Sequence, residues 1–297
     1  MPQRAGLASE PFSALCREPP VCTLIVVVRG SPSGSPRGAA LESRPGSSRA
    51  ALIVAANRDE FYDRAAEGPA IRNLNGRRIL APLDLRAGGT WLGLNEESVF
   101  AAVTNLRNDS PDPQRRSRGW IVMDALSEPT AALAADMLKA LPEETYNPFQ
   151  CLVADGERAF HLVYRRTPRL TELEPGVHVI GNVDPREEPA PKVERIRARV
   201  AGVEQMGTER AMQELARVCA EHGTGGGGVG DTCVHVAGSV SKEADAGYGT
   251  RSSILLALPG RQDGQNEDGR LLVANGAPCT TGYEDQTSLL VRMRSGV

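Results

Sequence analysis

Lysine is almost missing from this 297-residue chain: Lys139, Lys192 and Lys242 are the whole complement, and arginine carries the rest of the positive charge. Such a skew reads as a high-GC coding bias, so an isolated arginine says little about function. Aromatic residues make up only 4% of the chain, which speaks against a large stacking pocket. The formal net charge of -3 leaves no electrostatic footprint for nucleic acid or an acidic membrane surface. No apolar run approaches the length that spans a bilayer, so no transmembrane segment is expected. The six cysteines (Cys16, Cys22, Cys151, Cys219, Cys233, Cys279) show neither CxxC pairs nor finger-like spacing. That argues against a structural zinc and a disulfide framework, and it fits a reducing compartment. No pair of His or Cys residues has metal-ligand spacing, so neither a metal nor another cofactor is expected. The first residues lack a continuous apolar stretch, and the default location is cytoplasmic.

What is present is the composition of an ordinary globular protein, with 40% hydrophobic and 24% charged residues. Residues 1–21, rich in Pro, Ala and Arg, read as a disordered extension or a misassigned start. The segment 22–297 reads as a single domain. Its first element is Cys22–Val28, CTLIVVV, a β-branched run of the kind buried on both faces. A Gly/Ser/Pro-rich loop over 29–49 leads to a partner strand over 51–57. A second hairpin is expected from Thr90–Asn95 and Ser98–Asn105. Helices follow at 119–126 and 130–141, strands at 151–154 and 159–164, and helices at 191–203 and 208–222. Gly223–Gly230 is a linker without the ending of a phosphate loop. Strands over 252–258, 270–275 and 288–291 close the set. Strands, helices, strands, helices, strands in that order suggest stacked layers, not βαβ units.

Cys22 opens the first buried strand, and two readings compete for it. A buried cysteine is most often a small apolar residue. Alternatively its thiol is a nucleophile and its own α-amino group, with a pKa of about 7.7–8.0, is the base. That requires Cys22 to be the first residue of the mature chain. Val21 is what a GTG start codon becomes when a gene is assigned too far upstream, and a propeptide is the other route. Asn57-Arg58-Asp59-Glu60 closes the partner strand; an antiparallel pairing puts it beside Cys22. Asp59 would then hold the amine or orient the thiol, and Arg58 would lower the thiol pKa. His178 and His235 sit in apolar contexts that suit satisfied core histidines. Cys233 and His235 share one face of a strand, without an orienting third group. Arg115-Arg116-Ser117-Arg118 reads as a solvated face, or as a clamp for a carboxylate or phosphate.

The runs CTLIVVV, NRDEFYDR and LAPLDLRAGGTWLGLNEESVFAAVTNLRN resemble the family named for its Asn-Arg-Asp-Glu motif, which includes the animal transport and Golgi organisation protein two. The likeness continues through RSRGW, NPFQCLVAD, PGVHVIGN, YGTRSS and TTGYEDQTSLL, and covers nearly all of residues 22–291. It implies an α+β fold, a four-layer αββα sandwich of the N-terminal-nucleophile hydrolase type. It also implies site roles: Cys22 as nucleophile, Asp59 and Arg251 as its supports, Asn105 and Asn182 as oxyanion donors, with Asn57, Arg58 and Glu60 around them. The resemblance has one gap, because Ala56 stands where such hydrolases carry an arginine, and Arg58 is expected to point to the opposite face. Three functions follow from it. One is a hydrolase of a non-peptide amide in a small-molecule substrate. Another is a carrier of a hydrophobic ligand such as haem or acyl-CoA, with Tyr248 or His178 as conceivable haem ligands. The last is a structural relative without chemistry. For the hydrolase, Cys22, Asp59, Asn105, Asn182 and Arg251 must converge, and the Cys22 thiol must have a lowered pKa.

Overall fold

The computed structural model describes residues 22–29, 50–108, 110–184, 186–223, 227–236, 247–260 and 269–296. The expected extension over 1–21, the start at Val21 and the loop over 29–49 beyond Arg29 lie outside the described residues. So do 224–226 of the expected glycine linker.

Two antiparallel sheets form the centre. The first is built from β1 (Thr23–Val28), β2 (Leu52–Phe61), β10 (Gly176–Ile180), β11 (His235–Val236), β12 (Tyr248–Leu258), β13 (Arg270–Ala274) and β14 (Glu284–Asp285). Its order is β10-β1-β2-β12-β13-β14, with β11 on β12. The second sheet is β3 (Ala66–Leu74), β4 (Arg77–Asp84), β5 (Leu92–Asn95), β6 (Phe100–Asn105), β7 (Phe149–Ala154), β8 (Ala159–Tyr164) and β9 (Pro168–Glu172), paired in sequence order. Helices α1 (Gly119–Leu126) and α2 (Ala131–Lys139) follow β6, and α3 (Pro191–Arg199) and α4 (Thr208–Cys219) follow β10. The chain ends on α5 (Thr287–Ser295).

The alternation along each strand sorts these elements into layers. Leu24, Val26, Val54 and Leu256 of the first sheet meet Leu92, Phe100 and Leu152 of the second in one core between the sheets. The odd positions Ile25, Ile53 and Leu255 face outward, onto Val193 and Ile196 of α3 and Met212 and Leu215 of α4. On the other side Val103, Phe149 and Val153 pack on Ile121 and Leu126 of α1 and Ala134 and Leu138 of α2. This is the expected αββα sandwich. Because both faces of each sheet are covered, β1 is buried along its whole length, which is why CTLIVVV is apolar without alternation. Among the described residues no helix is long and apolar enough to cross a membrane.

The structure adds strands that the sequence reading passed over. β3 and β4 are joined by Asn75-Gly76, both at positive φ (53° and 87°), the two-residue turn that suits a right-twisted hairpin. The run over 288–291, expected as a strand, is part of α5 instead. A short apolar run does not distinguish the two periods. Here Leu290 and Met293, three apart, turn into the core between the sheets, and Gly296 at φ 73° terminates the helix.

At one end this inter-sheet core turns polar. Thr104 Oγ1 and Gln150 Nε2, from the second sheet, both donate to the Gly181 carbonyl at the end of β10, each at 2.9 Å. Gln150 Oε1 meets His161 Nε2 at 3.1 Å. Burial, followed by the charge of Arg186, holds the His161 imidazole down at about 4, against an ordinary value of 6.5. The folded state therefore prefers the neutral ring, while the unfolded chain takes up its proton near 6.5. The resulting stability is complete above that pH and is lost as pH falls toward 4, at about 1.4 kcal/mol per pH unit. Urea denaturation of His161→Gln should show a flatter acid limb than the parent chain. Superimposable limbs would rule out His161 as its source.

Candidate active site

Strand β2 stays paired on both sides after its apolar residues end: Thr23 of β1 faces Asn57, and Thr250 of β12 faces Asp59. The polar motif is thereby held inside the protein, with Asn57, Arg58 and Asp59 all buried. Residues two apart on a strand share a face. Ala56 packs between the sheets, so Arg58 points there too, and the β1 register continued by one residue sets Cys22 opposite it. The expectation that Arg58 would turn to the far face is thus corrected. Its guanidinium lies 4.3 Å from the centre of the Trp91 ring, in stacking range.

Cys22, Arg58, Asp59, Glu60 and Asn105 line one cleft of about 250 Å³. Its far wall comes from two turns, the second of them in the cluster that reads in sequence as a solvated face or a clamp. Gly89–Trp91 belongs to one and Ser117–Gly119 to the other. A Cβ on Gly89 would come within 2.5 Å of the Gly119 carbonyl carbon, so only glycine lets these backbones touch. Arg64, Asp84 and Arg86 also line the cleft, and Arg64 Nη2 pairs with Asp84 at 2.7 Å. Within the Arg115–Arg118 cluster, Arg118 lines the cleft, while Arg116 is paired with Asp124 and Arg115 lies 3.5 Å from Asp112.

Burial dominates the electrostatics of the cleft. Burial, and then the Asp59 charge, pushes the Cys22 thiol up to about 12, whereas the backbone N–H of Asp59 and the charge of Arg58 act the other way. The lowered thiol pKa was expected of a chain that begins at Cys22; with Cys22 inside the chain, desolvation outweighs the charge of Arg58. Cys22 also has φ 54°, in the left-handed region that a residue with a Cβ seldom occupies. Asp59 Oδ1 accepts a 2.6 Å hydrogen bond from Thr250 Oγ1. Oδ2 is 3.8 Å from Lys192 Nζ and is buried without a hydrogen-bond partner among the described residues. Burial raises the Asp59 pKa, and the Lys192 charge offsets part of that rise. Neither Thr250 nor Lys192 was singled out from sequence. Lysine's scarcity in an arginine-rich chain was the one available signal.

Other expected site residues are placed differently. Asn57 turns to the outer face, where Nδ2 donates to the carbonyls of Cys219 and Thr232, both at 2.8 Å. It is a clamp on the end of α4 and on the segment before β11. Glu60 lies at the rim, 3.6 Å from Arg64 Nε and 3.9 Å from Arg58 Nη2. Asn182 does not line the cleft; continuing the β1–β10 register by two residues sets it opposite Cys22, and its carbonyl accepts from Arg107 N–H at 2.8 Å. Arg251 does not join Cys22 either. It is the extra residue of a bulge between Thr250 and Ser252, and the bulge swings its guanidinium onto the carbonyls of Phe61 and Tyr62. There it lines a neighbouring cleft that shares Arg58. Tyr248 is buried and His178 Nε2 meets the Glu174 carbonyl at 2.7 Å; neither faces the main cleft. The cysteines that looked scattered are not all so. His222, Cys233, His235 and Cys279 come together away from the cleft, with their ligand atoms within 4.8 Å of one another.

Replacing Asn57 by Ala strips two buried carbonyls of their donor, and each such loss costs about 1–3 kcal/mol. Asn57→Ala should therefore unfold at clearly lower urea concentration than the parent. An unchanged midpoint would mean that the clamp does not bear on stability.

The family model for "Transport and Golgi organisation 2" matches residues 39–265, a stretch that begins after Cys22. The mouse transport and Golgi organization 2 homolog is 33% identical over 139 residues, 44% of this chain and 50% of that protein. The fruit-fly transport and Golgi organization protein 2 is 39% identical over 79 residues, 25% of this chain and 28% of that one. The chain thus spans about half the length, or less, of these curated relatives. Among solved structures, a Caenorhabditis elegans ortholog of N-acylethanolamine-hydrolyzing acid amidase aligns with a TM-score of 0.48 at 14% identity, over 82% of this chain and 94% of that one. A variant of conjugated bile acid hydrolase from Clostridium perfringens aligns with a TM-score of 0.49 at 10% identity, over 89% and 93%. With its family model matched along most of its length, the chain belongs to the transport and Golgi organisation 2 family.

Proposed function

We propose that the protein is an N-terminal-nucleophile hydrolase of a non-peptide amide bond, working in a mature form that begins at Cys22. The observation that carries this reading is the shared cleft of Cys22, Asp59 and Asn105, beside an Asp59 oxygen that is buried without a hydrogen-bond partner among the described residues, 3.8 Å from Lys192 Nζ. In that form the free α-amine of Cys22, with a pKa of about 7.7–8.0, takes the thiol proton as sulfur attacks the amide carbon. Asp59 Oδ2 accepts a hydrogen bond from the resulting ammonium. The Asn105 amide donates to the oxyanion, where loss of one donor typically costs about 10²–10³ in rate. The carbon–nitrogen bond breaks, the leaving amine takes the proton from the ammonium, and a thioester remains. Water then adds to the thioester, giving its proton to the α-amine. The acid leaves and the thiol is restored. Arg58 stabilises the thiolate in transit, and Arg251 acts at most through Phe61 and Tyr62. At the cleft mouth Arg86 and Arg118 suit a substrate that carries a carboxylate.

The raised thiol pKa supports this assignment of the base. With Val21 attached, the Cys22 nitrogen is an amide and cannot accept a proton, and the thiol stays dormant. The strained φ of Cys22 is also a torsion that exists only while Val21 is attached. The alternative is a carrier of a hydrophobic ligand such as haem or acyl-CoA, and the same dormant thiol is the observation in its favour. Against a haem pocket, no His or Tyr among the described residues lines the cleft, and its lining is rich in charge.

The two readings part in one experiment. Chains beginning at Cys22 and at Met1 are compared for iodoacetamide labelling at pH 7, for turnover of small N-acyl amides bearing a carboxylate, and for haem and acyl-CoA affinity. The hydrolase reading expects Cys22 labelling at least about tenfold faster in the short chain, turnover only there, and loss of both in Cys22→Ala. Equal labelling and equal ligand affinity in the two chains, without turnover, would leave the carrier.

A further inference from the structure

Away from the cleft, three separate parts of the chain deliver metal-binding side chains to one point. His222 follows α4, Cys233 and His235 lie on the segment that enters β11, and Cys279 sits in the turn after β13. Their four ligand atoms all lie within 4.8 Å of one another. His235 Nε2 is 3.4 Å from Cys233 Sγ and 3.1 Å from Cys279 Sγ, and the His222 ring centre is 5.1 Å from that of His235. Around a tetrahedral zinc, with bonds of about 2.3 Å to sulfur and 2.0–2.1 Å to nitrogen, neighbouring N and S atoms stand about 3.5 Å apart. The two N–S separations at His235 lie a little below that value.

Two sulfur atoms converge on one imidazole nitrogen, and Cys233 is fully buried. The backbone is also arranged to hold the set. Cys233 N–H donates to the Glu221 carbonyl at 3.1 Å, fixing it beside His222, and His235 N–H donates to the Gly227 carbonyl at 2.6 Å. Asp231 accepts from Gly223 N–H and Gly227 N–H, at 2.7 and 2.8 Å, and so closes the loop between His222 and Cys233 onto itself.

We infer that His222, Cys233, His235 and Cys279 form a structural Cys2His2 site for a zinc ion. Two thiolates with two imidazoles, all supplied by the protein and converging within 4.8 Å, select zinc over the oxygen-preferring divalent cations. Zinc binding displaces one proton from each thiol. The site would staple the end of α4, the β11 segment and the turn after β13. Two of these parts are bonded to the cleft strand. Asn57 holds the Thr232 carbonyl, and Val234 N–H donates at 2.8 Å to the same Thr250 hydroxyl that binds Asp59. This assignment is independent of whether Cys22 is a nucleophile.

The test is elemental analysis of the untagged protein, purified under reducing conditions without chelator. It should contain about one zinc per chain, and Cys22→Ala should keep it. Cobalt exchanged into the site should give the visible bands of tetrahedral thiolate coordination, absent from the Cys233→Ser/Cys279→Ser double variant. Should that variant fail to fold, His222→Gln alters only an exposed ligand, and zinc competition against a chelator should then show at least about tenfold weaker binding. Metal-free protein that takes up neither zinc nor cobalt would overturn the assignment. So would a Cys233–Cys279 disulfide in protein isolated from its own host, or unchanged zinc affinity in His222→Gln.

Discussion

Strand β2 is hydrogen-bonded on both edges as far as Asn57, and on its β12 edge the pairing runs on to Phe61, beyond the point where its apolar residues run out. A polar sequence that would ordinarily leave a sheet and hydrate is instead locked into strand geometry. Asn57, Arg58 and Asp59 are therefore buried by their neighbours' pairing, not by their own preference, and alternation fixes where each can look. Arg58 faces the inter-sheet cleft with Cys22. Asn57 and Asp59 face outward, toward the α3 and α4 side. Burying charge there is costly unless partners are supplied. Lys192, Thr250 and the carbonyls that Asn57 holds are those partners, each drawn from an element packed against β2.

Much of this was legible in the sequence where one local rule dominates. The unbroken β-branched run of β1 announces a strand covered on both faces, and the fold covers it. Cys22 and Asp59 were readable together because antiparallel pairing sets the Asn57–Glu60 run beside the head of the first strand, and Asn105 joined them through the family resemblance. The missed elements failed for different reasons. Asn75-Gly76 was a local signal overlooked between the two more apolar hairpins. The helix α5 was a genuine ambiguity, because four apolar residues fit both periods until the placement of Leu290 and Met293 decides. Arg251 was misplaced by a bulge, which shifts every later residue's facing without leaving a mark in composition. The grouping of His222, Cys233, His235 and Cys279 is hidden most deeply. Metal-ligand spacing in sequence detects a hairpin or a helix turn, and here three distant segments meet only after the first sheet is assembled.

Electrostatics separates the expected chemistry from the described state. An N-terminal cysteine was expected to carry a depressed pKa, yet with its nitrogen in a peptide bond the thiol sees a buried site, a carboxylate and one cation. Desolvation and Asp59 prevail. In the proposed mechanism the base for this thiol is the α-amine of Cys22, which here is bound in the peptide bond. The Asp59 oxygen beside Lys192 lacks a hydrogen-bond donor among the described residues, and in that mechanism an ammonium at the head of β1 would supply it.

Asn57 brings the two halves of the molecule's chemistry into one frame. It stands in the motif strand, but its side chain reaches the carbonyls flanking the His222–Cys233 loop. Thr250 makes the complementary connection, receiving Val234 N–H and donating to Asp59. The segment that carries Cys233 and His235 is thus bonded to the cleft strand from two sides, through neutral hydrogen bonds in a buried layer where each is hard to replace. A change in how that segment is anchored therefore reaches Asp59 without crossing the cleft. The first residue of the motif serves position, the second and third serve the site, and the last serves its rim, an allocation set by the alternation of a strand that is never allowed to end early.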